Sequence, residues 1–532
     1  MRKYRIFSQL LFILLFIFLF LKTTYDKNNL IAYPVKAFLD LDPFIFFSTL
    51  FSLRGALHLL PPALFLSLVT LLVTLLLGRV FCGWICPLGT INQWIGSKRN
   101  AEYRVRSAEY TAEMQTRNPK LFLTYRFKYY LLIFLLTASL FTLQLSGIFD
   151  PLSLLIRSFS VSVYPAFQYV VTSILDGLSS SGFLWINDIV DIIYSRSRNI
   201  VLSLSQPYYS QSLFIAMIFI AVLLMNLYRA RFFCRYLCPL GACLGICSSL
   251  SPLRIELNDT CNRCERCLSD CQGGLSADRE AGWKKSECLL CGNCVSSCPV
   301  KALQVTFSKG LTPGIQQPDL RKRALLISLS SGIVAVPLLR ISPSEKTLKP
   351  ELIRPPGSLE EKEFLRRCVK CGECMKVCLT NGLQPTLFEA GVEGIWSPRL
   401  VPRIGYCSYN CTLCGQVCPT GAIKKLSTGE KTKVKIGLAF IDQSRCLPYA
   451  FGKSCIVCEE HCPTPPKAIW FHEKEIGDRG GGRLSVKQPV VDPELCIGCG
   501  ICEYKCPVKD LPAIRITSAG ESRSKVNQPL LV

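Results

Sequence analysis

The sequence predicts an α-helical membrane domain of four spans joined to small cysteine-rich α+β domains, and three observations carry that expectation. Of 532 residues 49% are hydrophobic and the mean hydropathy is +0.30, above the usual range of soluble chains. Four long apolar runs precede Arg231. The chain also holds 30 cysteines at short recurring intervals, which suits metal ligands better than a disulfide framework. A purely soluble enzyme is excluded, and the length allows about three domains.

The first apolar run, Ile6 to Leu21, follows Arg2, Lys3 and Arg5 and lacks a small-residue cleavage site, so it reads as a retained anchor. The runs Leu59 to Val80, Tyr129 to Leu145 and Leu213 to Tyr228 are long enough to cross about 30 Å of hydrocarbon. Lys98, Arg99, Arg104, Arg106, Arg117, Lys120, Arg126 and Lys128 separate spans two and three, and Arg229, Arg231 and Arg235 follow span four. By the positive-inside rule the N-terminus and both basic stretches are cytoplasmic, and the 148–212 loop is outside. A fifth run, Ala324 to Leu339, follows Arg321, Lys322 and Arg323 and is marginal as a span and suggestive of an export signal.

The spans repeat as two pairs: an outgoing helix, an Asp-Pro step (Asp42-Pro43, Asp150-Pro151) and a returning helix that ends in a cysteine motif. The motifs are Cys82-Gly-Trp-Ile-Cys86-Pro-Leu-Gly and Cys234-Arg-Tyr-Leu-Cys238-Pro-Leu-Gly. A parallel duplication about an axis along the membrane normal brings Cys82, Cys86, Cys234 and Cys238 into one cytoplasmic cofactor or dithiol site. Small packing residues at a helix end are the competing reading. Beside Arg79, Arg231 and Arg235 these thiols are expected to ionise more readily than usual. Cys243 and Cys247 repeat the spacing without proline, and packing and ligation both remain open for them. By topology Asp42, His58 and Asp150 fall at the outer interface, where ionisable groups could take up protons from a redox reaction; a helix cap or turn for each aspartate and a solvated histidine are the favoured readings.

Four stretches read CxxCxxCxxxC: Cys261, Cys264, Cys267, Cys271; Cys288, Cys291, Cys294, Cys298; Cys368, Cys371, Cys374, Cys378; and Cys496, Cys499, Cys502, Cys506. Two more stretch the first gap: Cys407, Cys411, Cys414, Cys418, and Cys446, Cys455, Cys458, Cys462. Three closely spaced thiolates hold three corners of a [4Fe-4S] cubane while the fourth serves a neighbouring one. These groups account for 24 of the 30 cysteines and predict six clusters in bacterial dicluster-ferredoxin-like domains. Crossing in the first pair joins Cys261, Cys264, Cys267 and Cys298, and joins Cys288, Cys291, Cys294 and Cys271. The last four groups pair either as neighbours or as first with fourth and second with third. Zinc sites separate their CxxC pairs more widely, and no CxxCH for c-type haem occurs beside His58, His461 or His472. The net charge of +23 would otherwise suggest nucleic acid. Six clusters of about −2 leave roughly +11.

Residues 1 to about 305 resemble the NapH family of membrane ferredoxin-type proteins, through the four spans, CGWICPLG, CRYLCPLG and the two clusters that follow. Residues from about 321 resemble the NapG/MauM four-cluster ferredoxins, through Arg354-Pro-Pro-Gly357, CVKCGECMKVC, Gly437-Leu-Ala439, Asp442-Gln443 and the final CIGCGICEYKCP. Arg321-Lys322-Arg323 departs from those exported relatives in lacking an adjacent arginine pair. The resemblance implies a fusion of quinol dehydrogenase components in a bacterial inner membrane. The domains expected are 1–250, membrane; 251–305, cytoplasmic two-cluster; 306–345, linker with the fifth run or export signal; and 346–532, periplasmic four-cluster. Membrane lipid, the quinone pool and a periplasmic cytochrome or reductase are the implied partners. The alternative is an accessory or maturation reductase that keeps a metalloenzyme or metal ion reduced; an outer four-cluster domain would be superfluous for it. A cytoplasmic-facing polyferredoxin follows if residues 346–532 stay inside.

Overall fold

The computed structural model describes residues 1–24, 29–55, 62–96, 125–180, 184–197, 206–258, 260–262, 264, 266–273, 285–307, 320–340, 350–477, 483–524 and 527. His58 and the basic residues from Lys98 to Lys120 lie outside them. The chain forms two compact units: residues 1–20, 35–158 and 214–338, and residues 21–34, 159–213 and 339–532.

In the first unit the helices are α1 (Arg2–Lys22), α2 (Pro43–Ser52), α3 (Leu66–Leu77), α4 (Phe127–Leu140), α5 (Pro151–Ser158), α7 (Ser212–Tyr228), α8 (Pro239–Ser248) and α9 (Lys322–Leu339), with α6 (Tyr164–Ser179) in the second. Among the described residues three helices are long and apolar enough to cross a membrane: α1, the continuous Pro151–Ser179 formed by α5, a π-turn and α6, and α9. The runs expected as spans two to four form the shorter apolar helices α3, α4 and α7. The sequence reading placed Pro151–Ser179 in the outer 148–212 loop, in which Arg157, Ser158, Ser160 and Ser162 are polar. In the fold these are buried, and the Arg157 guanidinium donates to the carbonyls of Gly147 (3.0 Å) and Ile148 (3.4 Å). Lys128, expected in a cytoplasmic basic stretch, is also wholly buried and pairs with Glu287.

Asp42 caps α2 by accepting from the amides of Phe44 and Ile45, and Pro43 supplies a preset first-turn φ. Asp150 does the same for α5 through Ser153. Gly78 (φ +75°) ends α3, and a π-turn at Phe81–Ile85 follows it. The helix α9 packs Gly332 against α4, where a Cβ would lie 2.9 Å from Thr137 Cβ. Downstream of α8, β1 (Leu253–Leu257) and β2 (Leu303–Phe307) pair antiparallel from Leu253 opposite Phe307 to Leu257 opposite Leu303, enclosing two cysteine groups.

The second unit repeats that plan. The bridge between Ser358 and Ile423 flanks one pair of cysteine groups. The short antiparallel pair β3 (Leu383–Pro385) and β4 (Pro398–Leu400) lies within it. Antiparallel β5 (Leu438–Ile441) and β8 (Ile514–Thr517) flank the other pair, with the hairpin β6 (Ile469–Gly477) and β7 (Arg483–Val491) inserted. Helix α10 (Glu361–Arg367) places Phe364 in a core with Cys368, Ala422 and Ile423. Segments 21–34 and 159–213 fold onto this core. Gln416 donates to Asn29 O at 2.7 Å, Lys376 to Thr23 O at 2.7 Å, and Tyr209 to Met375 O at 3.0 Å.

Candidate redox centres

Four cavities in the second unit are each lined by four cysteines. One of about 370 Å³ meets Cys368, Cys371, Cys374 and Cys418; one of about 440 Å³ meets Cys407, Cys411, Cys414 and Cys378. The others, of about 390 and 330 Å³, meet Cys446, Cys455, Cys458 and Cys506, and Cys496, Cys499, Cys502 and Cys462. In every case three cysteines come from one sequence group and the fourth from its neighbour, so of the two pairings left open by spacing the fold adopts neighbour with neighbour. The remaining lining is mostly apolar side chains, prolines and glycines. Among the described residues no three His, Cys, Asp or Glu side chains converge on a single-ion site; the quartets surround volumes instead.

Tight turns make the quartets. Gly372 and Gly500 start short helices at φ +83° and +85°, directing the next cysteine of each loop inward. Amides point at sulfur, Ile423 N at Cys418 Sγ (3.4 Å) and Ala302 N at Cys298 Sγ (3.3 Å), which favours thiolate. Burial pushes the metal-free thiols of Cys411 and Cys446 up to about 11 and those of Cys458 and Cys499 to about 12, so ligation releases protons. The Cys407 amide donates to the Cys499 carbonyl at 2.8 Å, tying two quartets together.

In the first unit, Cys267 has Cys261, Cys264 and Cys298 as electrostatic neighbours, and Cys294 has Cys288, Cys291 and Cys271. The two membrane motifs also meet: Cys238 neighbours Cys234, Cys82 and Cys86. A Cβ on Gly89 would lie 2.9 Å from Cys82 O, and one on Gly241 2.9 Å from Arg79 Nη2, so both glycines after Cys-Pro-Leu sit where a side chain would crowd a neighbour. Cys243 is buried near Cys82, and Cys247 is half-buried beside it.

The expected easy ionisation of the motif thiols is overturned. Burial outweighs every nearby cation and raises Cys86, Cys234 and Cys238. The guanidinium groups are engaged with oxygen acceptors: Arg231 donates to Cys82 O (3.0 Å), Arg235 to Cys271 O (2.8 Å), and Arg79 to Ser286 O (2.8 Å) and Glu287 (3.2 Å). Glu287, missed by the sequence reading, also takes Lys128 and the Tyr129 hydroxyl (2.7 Å). Trp84 donates to Leu290 O (3.2 Å) and Arg5 to Cys291 O (3.0 Å), so the membrane motif borders the two-cluster loop directly.

This fold and these cysteine sets define an iron–sulfur electron-transfer protein of the ferredoxin type. A sequence family described as a 4Fe-4S binding domain matches residues 59–104 and 211–257, the stretches holding the two membrane motifs, and another with the same description matches 282–304 and 489–509. The chain is 36% identical over 168 residues to the methylamine utilization ferredoxin-type protein MauM of Methylorubrum extorquens, covering 31% of this chain and 71% of that protein. It is 34% identical over 166 residues to the ferredoxin-type protein NapG of Escherichia coli, covering 31% and 69%. A MauM of Methylobacillus flagellatus matches at 32% over 213 residues, 38% of this chain and 86% of the relative. The chain belongs to the MauM and NapG family of ferredoxin-type proteins. No solved structure matches it.

Proposed function

We propose that the protein is a membrane-bound conduit that takes electrons from quinol and passes them to an acceptor outside the cytoplasm, joining a NapH-like membrane part to the MauM/NapG-like part. The observation that carries the reading is the set of four four-cysteine cavities, built crosswise, in one unit with segments 21–34 and 159–213. The positive-inside pattern, with Arg2, Lys3 and Arg5 at the start of α1 and Arg229, Arg231 and Arg235 after α7, supports an outer position for these quartets. The proposal keeps the domain division expected from sequence, with α9 crossing outward ahead of 346–532.

Six [4Fe-4S] clusters fit the chain: four in the cavities, one on Cys261, Cys264, Cys267 and Cys298, and one on Cys288, Cys291, Cys294 and Cys271. Bound clusters supply one-electron transfer. The chain's own residues hold the sulfurs, shield them from water and offset their charge through amide donors. Cys82, Cys86, Cys234 and Cys238 are assigned a further metal centre, supported by the description of the family matching both motifs. The contact of this quartet with the two-cluster loops favours, as a second reading, a reductase that acts on a metal or metalloenzyme inside the cell.

The test is iron and acid-labile sulfide in anaerobically purified protein, with Cys371→Ala and Cys499→Ala variants. Iron for at least six cubanes, falling in each variant, is expected. Stoichiometric zinc, or unchanged iron in both variants, would contradict the assignment.

A further inference from the structure

The two Asp-Pro steps converge. Asp42 spends Oδ1 on the amides of Phe44 (2.8 Å) and Ile45 (3.3 Å), and Asp150 spends Oδ2 on Ser153 N (2.7 Å). The two side chains are fully buried and lie as each other's electrostatic neighbours. Their second oxygens, Asp42 Oδ2 and Asp150 Oδ1, are buried without a hydrogen-bond partner. Two carboxylates offer only acceptors, so a proton is what would bridge them.

Capping does not explain this choice. Asparagine or serine would cap α2 and α5 as well and carry no charge into an apolar bundle. Glu287, another buried carboxylate of this unit, is neutralised by Arg79 and Lys128. The groups packed around the Asp pair differ. Ser48 donates to Ser146 at 3.0 Å, linking the segments on which the two aspartates sit. Arg157 is turned to backbone carbonyls, and Asp40, itself buried, has Lys36 as its cationic neighbour. From α8, Cys243 is the titratable neighbour of Asp42, and it neighbours Cys82 in turn. Beside the cap, rings of Phe46, Phe47, Phe51 and Phe65 pack at 5.4 to 6.4 Å, and Phe65 is 39% exposed on the apolar side. Such a face suits a flat apolar head group arriving from lipid.

We propose that Asp42 and Asp150 share one proton and together form the group that accepts a proton from a quinol hydroxyl. This rests on the quinol reading above. In each one-electron step a quinol O–H bond breaks, the proton joins the pair, and the electron goes to the iron–sulfur groups. The pair then releases that proton to water. Two such steps convert quinol to quinone with two electrons and two protons accounted for.

The test uses full-length protein in nanodiscs and the variants Asp42→Asn and Asp150→Asn, which keep the caps. Infrared difference spectra at neutral pH should show a protonated-carboxyl band in wild type that is absent from either variant. Reduction of the clusters by a soluble quinol should slow at least tenfold in each variant, with iron content and the dithionite-reduced spectrum unchanged. A band that survives in both variants, or wild-type quinol rates in both, would overturn the proposal while leaving the conduit reading intact. A wild-type protein that dithionite reduces and quinol does not would overturn both.

Discussion

Replacing Arg354 by methionine removes the guanidinium while keeping most of the stem's length, at a position wholly buried beneath the first of the four cavities. The guanidinium pairs with Glu361 through two bonds of 2.6 and 3.1 Å, donates to Ser397 Oγ (2.9 Å) and Pro398 O (2.7 Å), and lies 4.6 Å over the Phe364 ring. Phe364 in turn packs on Cys368. Breaking a fully buried pair costs about 3–5 kcal/mol. Here Glu361 keeps a 33% exposed side chain and a second partner, Arg523 at 2.8 Å, so the orphaned carboxylate contributes little of that cost. The Pro398 carbonyl, left without its donor, costs about 1–3 kcal/mol, and lost stacking adds about 1. A total near 3 kcal/mol raises the opened fraction roughly a hundredfold. The assay is anaerobic bleaching of cluster absorbance in denaturant with a chelator present. The midpoint should fall and bleaching should accelerate. Arg354→Lys should not restore it, because one ammonium cannot reproduce the planar fork. Wild-type bleaching in the methionine variant would refute the reasoning.

Burial alone would raise Glu361, but Arg354 and Arg523 hold it at about 2 against an ordinary 4.5. Its stabilisation is therefore complete above about pH 4.5 and lost as pH falls toward 2. The stability gap between wild type and Glu361→Gln should narrow over that window in circular dichroism melts; a constant gap would contradict it. A reporter active only outside the cytoplasm should work when fused after Val532 and fail after Phe307; the reverse pattern would refute the topology. In the Cys86→Ser, Cys238→Ser double variant, iron should fall by one centre while the six clusters persist, and quinol-driven electron transfer should drop. Unchanged iron and rate would leave these thiols as packing residues. Glu287→Gln leaves Arg79 and Lys128 buried with a neutral partner, so thermal stability of the membrane unit should fall by about 3 kcal/mol; an unchanged melting curve would oppose this.

What was legible followed from local spacing. Each CxxCxxC run sets three ligands within one loop and the crossing of the fourth cysteine was expected, whereas which groups exchange it among the last four is set by tertiary pairing that periodicity does not encode. The Glu287 cluster joins Arg79, Lys128 and Tyr129 from segments with no common motif, and charge counting read Lys128 only as part of a cytoplasmic basic stretch. Arg354 was visible only as part of the Arg354-Pro-Pro-Gly357 stretch that carries the family resemblance, with its role set by Glu361, Ser397 and Pro398. The Asp-Pro steps read correctly as caps, but no one-dimensional signal says that Asp42 meets Asp150. Cationic neighbours suggested ionised motif thiols, and burial, invisible in sequence, reversed the sign.

The central claim is tested most directly by adding a soluble quinol to anaerobic, cluster-replete protein in nanodiscs and following the clusters by electron paramagnetic resonance. The account predicts reduced-cubane signals after quinol addition and their loss on adding a membrane-impermeant oxidant. Clusters that respond to dithionite and stay oxidised with quinol would contradict it.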